Sequence, residues 1–529
     1  MKVQNPILKG FNPDPSIIRV GDNYYIATST FEWFPGVQIH HSKDLANWNL
    51  VKRPLERKSQ LDLLGVPDSC GVWAPCLSYH EGIFYLIYSN VKSFDGVWKD
   101  TPNYLITTDN ILGDWSEPVF LDSRGFDASL FHDDNGRKWY VTMKVDHRRG
   151  TLFGGIELQE FDPKAKTLIG QTYKIFQGTS LGCTEGPHLY KKDGYYYLIT
   201  AEGGTEYNHA VTIARSKEVV GPYEVHPQNP LISCKNIPQH SLQKSGHGDF
   251  VQSPNGDWFI VFLVSRPLKE QGRCTLGRET AIEKIHWAEG DWPSLEAGRR
   301  LPRLTFEIEG VDSEQKQISH FDDFDNEELN IHFQSLRVPM ENWMSLLDRP
   351  AYLRLKGRES LSSFHYQSMI ARRVQHFNVE VSTKIDFHPA SFQQMAGLVF
   401  YYNTSHFHYL HITQSREGKR ILFPVSCDKF NFAEHEEDII ELPENGEVFL
   451  KGHFDRESIQ FYYRLEHGEW IKVGKELDGS ILSDDYVQDH DGRYRPAFTG
   501  SFVGLCCQDL SGHDHFADFD WFEYKVLED

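Results

Sequence analysis

The chain contains no apolar run long enough to cross a bilayer, and its first residues, "MKVQNPILKG", lack an apolar stretch ending in small residues. The expectation is a cytoplasmic protein without leader or membrane span. Cysteines do not cluster: Cys70, Cys76, Cys183, Cys234, Cys274, Cys427, Cys506 and Cys507 are scattered, with no pair at metal-ligand spacing. The adjacent Cys506 and Cys507 are not a disulfide framework, and free thiols suit a reducing compartment. Positive charge is in short supply. Lys and Arg number 54 against 75 Asp and Glu, a formal net charge of −21. That balance argues against a nucleic-acid partner, which would need a basic face, and against an anionic membrane surface.

What is abundant is aromatic: 24 Tyr, 35 Phe and 12 Trp among 529 residues. Aromatics favour strands, and flat rings also pack on the C–H faces of sugars. The length exceeds one ordinary core, so two domains are expected.

Within the first three hundred residues a degenerate repeat recurs. Five times a turn signal leads into an aromatic strand: "GDNYYIATS", "EGIFYLIYS", "NGRKWYVTM", "DGYYYLITA" and "NGDWFIVFL". Each is preceded by a second strand-like segment, starting at Asp14, Trp73, Asp127, Glu185 and His247. Each unit reads as a hairpin followed by two weaker strands. A lone sheet of this kind cannot bury both faces, whereas a radial array can. The expected fold is all-β: a five-bladed β-propeller over 1–305, a linker over 306–320 and an antiparallel β-sandwich of jelly-roll or concanavalin-like type over 321–529. The sandwich follows from alternating segments such as "FNVEVSTKIDF" and "ADFDWFEYKV".

In a propeller the first strands surround the axis, so equivalent positions of different blades meet in one funnel. Asp14, Trp73–Ala74–Pro75, Asp127, Glu185 and His247 occupy those positions. Singly, each has a plain reading. Asp14 in "NPDPS" and Glu185 before Gly-Pro are ordinary turn residues, and Asp127 in Asp-x-Ser is a cap pattern. Trp73 serves equally as core, and His247 as a structural hydrogen-bonder. Three carboxylates in register favour a functional funnel instead. Pro15 biases Asp14 toward extended backbone, a rigid mount for a carboxylate.

At these residues the chain resembles β-xylosidases of glycoside hydrolase family 43. "NPDPSI", "FEWFPGV", "GVWAP", "GFDASLFHD", "TEGPHLY", "AEGGTEYNHA", "LGRETAI", "RESL" and "AFTGSFVG" stand in family order along nearly the whole length. The resemblance implies an inverting, exo-acting enzyme that releases xylose from xylobiose and short β-1,4-xylooligosaccharides. It makes Asp14 the general base and Glu185 the general acid, with Asp127 the carboxylate that orients the acid and raises its pKa. Arg278 and His247 become sugar contacts. Phe31, Trp73 and Ala74 become pocket wall, and Phe502, with Phe498 beside it, becomes the sandwich segment closing the pocket. Relatives carry a tryptophan before the Asp-His-Arg of "MKVDHRR"; Val145 stands there, which puts a stacking platform for the leaving-group sugar in question.

The resemblance also implies a homodimer or homotetramer and no required cofactor. A structural Ca²⁺ is an open expectation, either near His247 through water or at Asp323 and Asp518 if the first and last sandwich strands pair. The rival functions are an α-L-arabinofuranosidase of the same fold and a non-catalytic carbohydrate-binding propeller.

Overall fold

Five antiparallel sheets follow one another along the first half of the chain, as the repeat predicts, four of them four-stranded and the fourth blade carrying a fifth short strand, Ile232–Ser233. A computed structural model describes residues 2–527 apart from 95, 151, 269–271, 309–318, 491–492 and 495–496. The first blade contains Ser16–Val20, Asn23–Thr28, Gln38–Ser42 and Asn49–Lys52. The other four begin with Gly71–His80, Ser129–His132, Glu185–Lys192 and Gln243–Gln252. The hairpin turns form where glycine allows it: Glu81–Gly82 and Asp193–Gly194 both take positive φ, the backbone of a tight hairpin turn.

The innermost strands of neighbouring blades touch around the axis. Asp249 of the fifth blade binds them together. Its Oδ2 accepts from Ser16 Oγ at 3.0 Å and the Ile17 N–H at 2.8 Å, while Tyr190 of the fourth blade donates to its other oxygen. Ser129 Oγ donates to the Pro187 carbonyl at 2.5 Å, tying the third blade to the fourth.

The ring closes through its ends. Lys2–Gln4 pairs with Thr305–Glu307, and the N–H groups of Ile7 and Leu8 donate to the Thr280 carbonyl on the fifth blade. The propeller therefore reaches Glu307, beyond the expected boundary at 305. Most of the expected linker, 309–318, lies outside the described residues.

The second half is the expected sandwich, two antiparallel sheets enclosing an apolar core. Among the described residues the one α-helix is the short Asp484–Gln488. The halves are not simply apposed. Trp33–Phe34 leaves the first blade and pairs with Gln334–Leu336, becoming an edge strand of the larger sandwich sheet. One apolar cluster then runs from Leu86 and Trp73 in the propeller through Trp33 to Tyr401 and Phe502 in the sandwich.

Candidate active site

At the funnel mouth a cavity of about 310 Å³ is lined by Asp14, Asp127, Glu185, Phe31, Trp73, Ala74, His247 and Arg278, all singled out from the sequence. Phe498 joins them from the sandwich.

Asp14 sits two residues ahead of its strand and is 6% exposed. Its backbone is not extended, as Pro15 would bias it, but left-handed, with φ +53°. Asp127 (φ +55°) and His247 (φ +51°) adopt the same turn, and Gly186, next to Glu185, has φ +56°. The inner strand is thus kinked in four blades, at or just before its start in three and within it at the His247 register shift in the fifth, aiming side chains into the funnel. Such backbone costs about 1–3 kcal/mol for a non-glycine residue, with Asp among the tolerant ones. The Asp14 segment is held by its neighbours. Asn12 donates its N–H to the Arg278 carbonyl at 2.9 Å, and Ser29 donates its N–H to the Pro13 carbonyl at 3.2 Å. Gly186 has a second reason to lack a side chain: a Cβ there would lie 3.0 Å from the His247 ring.

The carboxylates are in different electrostatic settings. Asp14 Oδ2 accepts from Ser29 Oγ at 2.6 Å, and Oδ1 from Arg278 Nη1 at 3.2 Å. Burial would raise its pKa, but Arg278, His247 and the Ser29 hydroxyl together hold it below the ordinary aspartate value. Glu185, 8% exposed, has no such support. Burial, and then the negative charge of Asp14, push it up to about 8, against the pull of Arg278. Asp127 also rises well above its ordinary value, through burial and the charges of Glu185 and Asp14, while the Gly186 N–H opposes the shift. Asp127 and Glu185 repel each other when both are charged, which adds to the effect of burial and of Asp14. Burial pushes His247 down to about 4, so its ring is neutral near pH 7; its Nδ1 lies 3.8 Å from Asp14 Oδ1.

Arg278 opens the third strand of its blade and is 3% exposed. Its Nε and Nη2 donate to the Phe498 carbonyl at 3.3 and 2.9 Å, and Phe498 in turn donates its N–H to Ser69 Oγ at 3.0 Å. The sandwich thereby fixes the arginine that holds the base. Gly277 permits the approach, since a Cβ there would stand 2.3 Å from the Thr499 carbonyl oxygen.

Phe31, Trp73 and Phe498 form an aromatic wall: Phe31 and Phe498 centroids are 5.9 Å apart, and Trp73 meets Phe498 edge-on at 5.6 Å. Phe502 differs from expectation. It is fully buried and stacks on Trp33 at 3.7 Å with 11° between the rings, behind the wall. The first residues of its strand alternate between sheet faces, and the segment preceding it is what reaches the cavity.

The lining also includes Phe94, Phe126, Leu152, Phe153, Cys183 and Glu206, none singled out from the sequence as site residues; Trp73 meets Phe94 at 4.7 Å and Phe126 at 5.0 Å, so these two extend the aromatic wall. Phe153 lies across the ladder from Val145, so an aromatic ring faces the cavity beside the position where relatives carry tryptophan. These residues come from loops and third strands, outside the repeat signal.

The expected Ca²⁺ pair does not suit a cation. Both Asp518 oxygens accept from arginine: Oδ1 from Arg354 Nε at 2.7 Å, Oδ2 from Arg349 Nη1 at 3.0 Å. The last strand does pair with His320–Asp322, but in a register that sets Asp322 opposite Phe522. Asp323 instead accepts the Asp325 N–H at 3.2 Å.

A buried aspartate kept ionised, facing a cavity shared with a glutamate kept protonated, defines an acid–base hydrolase site on a propeller. The chain belongs to family 43 of the glycosyl hydrolases: residues 3–293 match Glycosyl hydrolases family 43, and residues 321–525 match its β-xylosidase C-terminal concanavalin A-like domain. It is 48% identical to a β-xylosidase of Bacillus subtilis (strain 168), covering 99% of this chain and 100% of that protein. It is also 48% identical to xylosidase/arabinosidase 43B of Humicola insolens, over 100% of this chain and 98% of that one. The crystal structure of xylan β-1,4-xylosidase from Bacillus halodurans C-125 superposes with a TM-score of 0.95 at 50% identity, covering 99% and 100% of the two chains. The chain is thus a glycoside hydrolase rather than a non-catalytic binding propeller.

Proposed function

We propose that the protein is an inverting exo-1,4-β-xylosidase that removes xylose from the non-reducing end of xylobiose and short xylooligosaccharides. The observation carrying this reading is the opposed protonation of Asp14 and Glu185 in one cavity of about 310 Å³, walled by Phe31, Trp73 and Phe498. That volume suits a terminal sugar rather than the middle of a polymer, and the aromatic wall suits the apolar face of a xylose ring. The substrate class is that of the relatives named above.

In the reaction Glu185 gives its proton to the glycosidic oxygen as the bond to the anomeric carbon breaks. Asp14 takes a proton from the water attacking the opposite face, so the configuration inverts. Arg278 holds Asp14 and offers donors to sugar hydroxyls. Asp127 takes the N–H of Gly186 and so steadies the backbone beside Glu185. Neutral His247 contributes hydrogen bonds without adding charge.

Timed analysis of xylotriose hydrolysis by anomer-resolved NMR tests the proposal. Xylose released first as the α-anomer, with xylobiose as co-product, is expected; a β-anomer would contradict inversion, and internal cleavage of longer chains would contradict exo action. A side α-L-arabinofuranosidase activity is part of the reading, favoured by the double name of the Humicola relative. The ratio of kcat/KM on nitrophenyl xyloside and nitrophenyl arabinofuranoside ranks the two sugars, and a ratio favouring arabinose makes arabinofuranosidase the main activity.

Among the described residues no helix is long and apolar enough to cross a membrane. All eight cysteines are free, which suits a cytoplasmic enzyme working on imported oligosaccharides. Its proposed assembly is a homodimer or homotetramer, which light scattering after size exclusion measures directly.

A further inference from the structure

A second cavity, of about 500 Å³, lies on the seam between propeller and sandwich, away from the catalytic residues. Its lining includes Arg53 and His40 from the first blade and Arg372 and Arg373 from the sandwich. In a chain with a net charge of −21, no Asp or Glu is among the described residues lining it. The four side chains are nearly withdrawn from water: Arg372 is 3% exposed, Arg373 5%, and Arg53 and His40 6% each.

Their partners are neutral. Arg53 donates to Gln38 Oε1 at 3.1 and 2.6 Å and to the Phe333 carbonyl at 3.2 Å. Arg373 Nε donates to the Phe11 carbonyl at 2.6 Å, and Arg372 Nη2 donates to Gln375 Oε1 at 3.0 Å. Arg53 and Arg373 thus join carbonyls of both domains, a structural duty. That duty leaves three polar atoms unused and buried: Arg372 Nε, Arg373 Nη2 and His40 Nδ1. Burial pulls all three arginines down with no carboxylate to offset it, only Tyr524 opposing the shift at Arg372, and Arg53 adds like-charge repulsion on Arg373. Buried cations with neutral partners and spare donors are costly unless an anion completes them.

We propose that this seam cavity binds a phosphoryl dianion through Arg372, Arg373 and His40. Two guanidinium groups and one imidazole, the last in the tautomer protonated at Nδ1, suit a three-oxygen head better than a two-oxygen carboxylate. The phosphoryl group is either free inorganic phosphate or carried on a small sugar. The cavity exceeds a phosphate in size, and Trp48 on its lining provides an apolar face for a sugar ring. Because the ligand contacts both domains, its binding stabilises their union.

The test uses the full-length protein in calorimetric titration and thermal unfolding, with inorganic phosphate or glucose 6-phosphate, each against sodium chloride at matched ionic strength. Phosphate at ~100-fold its Kd should raise Tm by about 2–3 °C beyond chloride. The shift should persist with xylose saturating the catalytic cavity. Arg372→Gln and, separately, His40→Gln should weaken binding at least ~10-fold, the loss of one charge-assisted bond, while turnover of nitrophenyl xyloside persists. Glucose 6-phosphate binding tenfold tighter than phosphate assigns the sugar-borne form, and equal binding assigns the free ion. No shift beyond chloride, displacement by xylose, or unchanged binding in both variants overturns the proposal. Should either variant fail to fold, the other and the wild-type titration still decide.

Discussion

Asp14 and Glu185 are both buried carboxyls, and only their neighbours separate them. Arg278, His247 and Ser29 outweigh burial at Asp14, whereas nothing outweighs it at Glu185. Asp14→Ala should lower kcat/KM on xylobiose by ~100-fold or more, the usual weight of a general base. Glu185→Ala should do the same on xylobiose, but should be partly spared on a substrate whose leaving group needs no proton. Near-normal hydrolysis of xylobiose by either folded variant would sink the assignment. The pH profile should be bell-shaped: Asp14, depressed, stays ionised until well into acid, and Glu185, raised, keeps its proton to about pH 8. An alkaline limb at ordinary glutamate values would argue against Glu185 as the acid.

Stability carries the same signature. Unfolded, Glu185 loses its proton near the ordinary value of 4.5; folded, it keeps it to about 8. Between those pH values the folded state binds more protons, so rising pH erodes stability. Glu185→Gln removes that penalty. Its advantage over the wild type should grow from pH 5 to pH 8, to the order of 1–3 kcal/mol. Melting curves of both proteins at the two pH values measure it, and a constant difference would mean the carboxyl is not held protonated.

At the scale of the element, the active site depends on where segments meet. The inner strands bring the carboxylates together, but Arg278 is fixed by a carbonyl of the sandwich. Gly277→Ala would push a methyl against the Thr499 carbonyl and should loosen that contact. Activity is expected to fall more than stability; an unchanged kcat/KM would show that the sandwich does not hold the arginine. Phe498→Ala keeps the carbonyl and removes the wall. It should raise KM ~10-fold, the weight of one aromatic contact, with a smaller effect on kcat; Phe502→Ala, behind the wall, should act chiefly on stability.

For the whole molecule the two domains form one unit. Trp33–Phe34 is a strand of the sandwich sheet although it belongs to the first blade, and the apolar cluster is continuous across the seam. A propeller truncated after Glu307 would expose Trp33, Phe34 and Arg53. It should be insoluble or inactive, and a soluble, active truncate would show that the sandwich is dispensable.

The sequence by itself determined the blade count, because each blade repeats one local grammar of strand, turn and aromatic strand. It likewise placed Asp14, Asp127, Glu185 and His247, because register within a repeat turns sequence position into radial position. It could not reveal the left-handed turn at Asp14, where tertiary hydrogen bonds override the local bias of Pro15. Nor could it choose between Phe498 and Phe502, since which ring faces the cavity depends on how a strand of one domain docks against another. Phe94 and Phe153 escaped for a related reason: they lie off the repeat. Charge states, too, belonged to the folded protein. Three carboxyls alike in sequence become one base and two protonatable acids only when burial strengthens each field and Arg278, carried in from another blade, stands beside one of them.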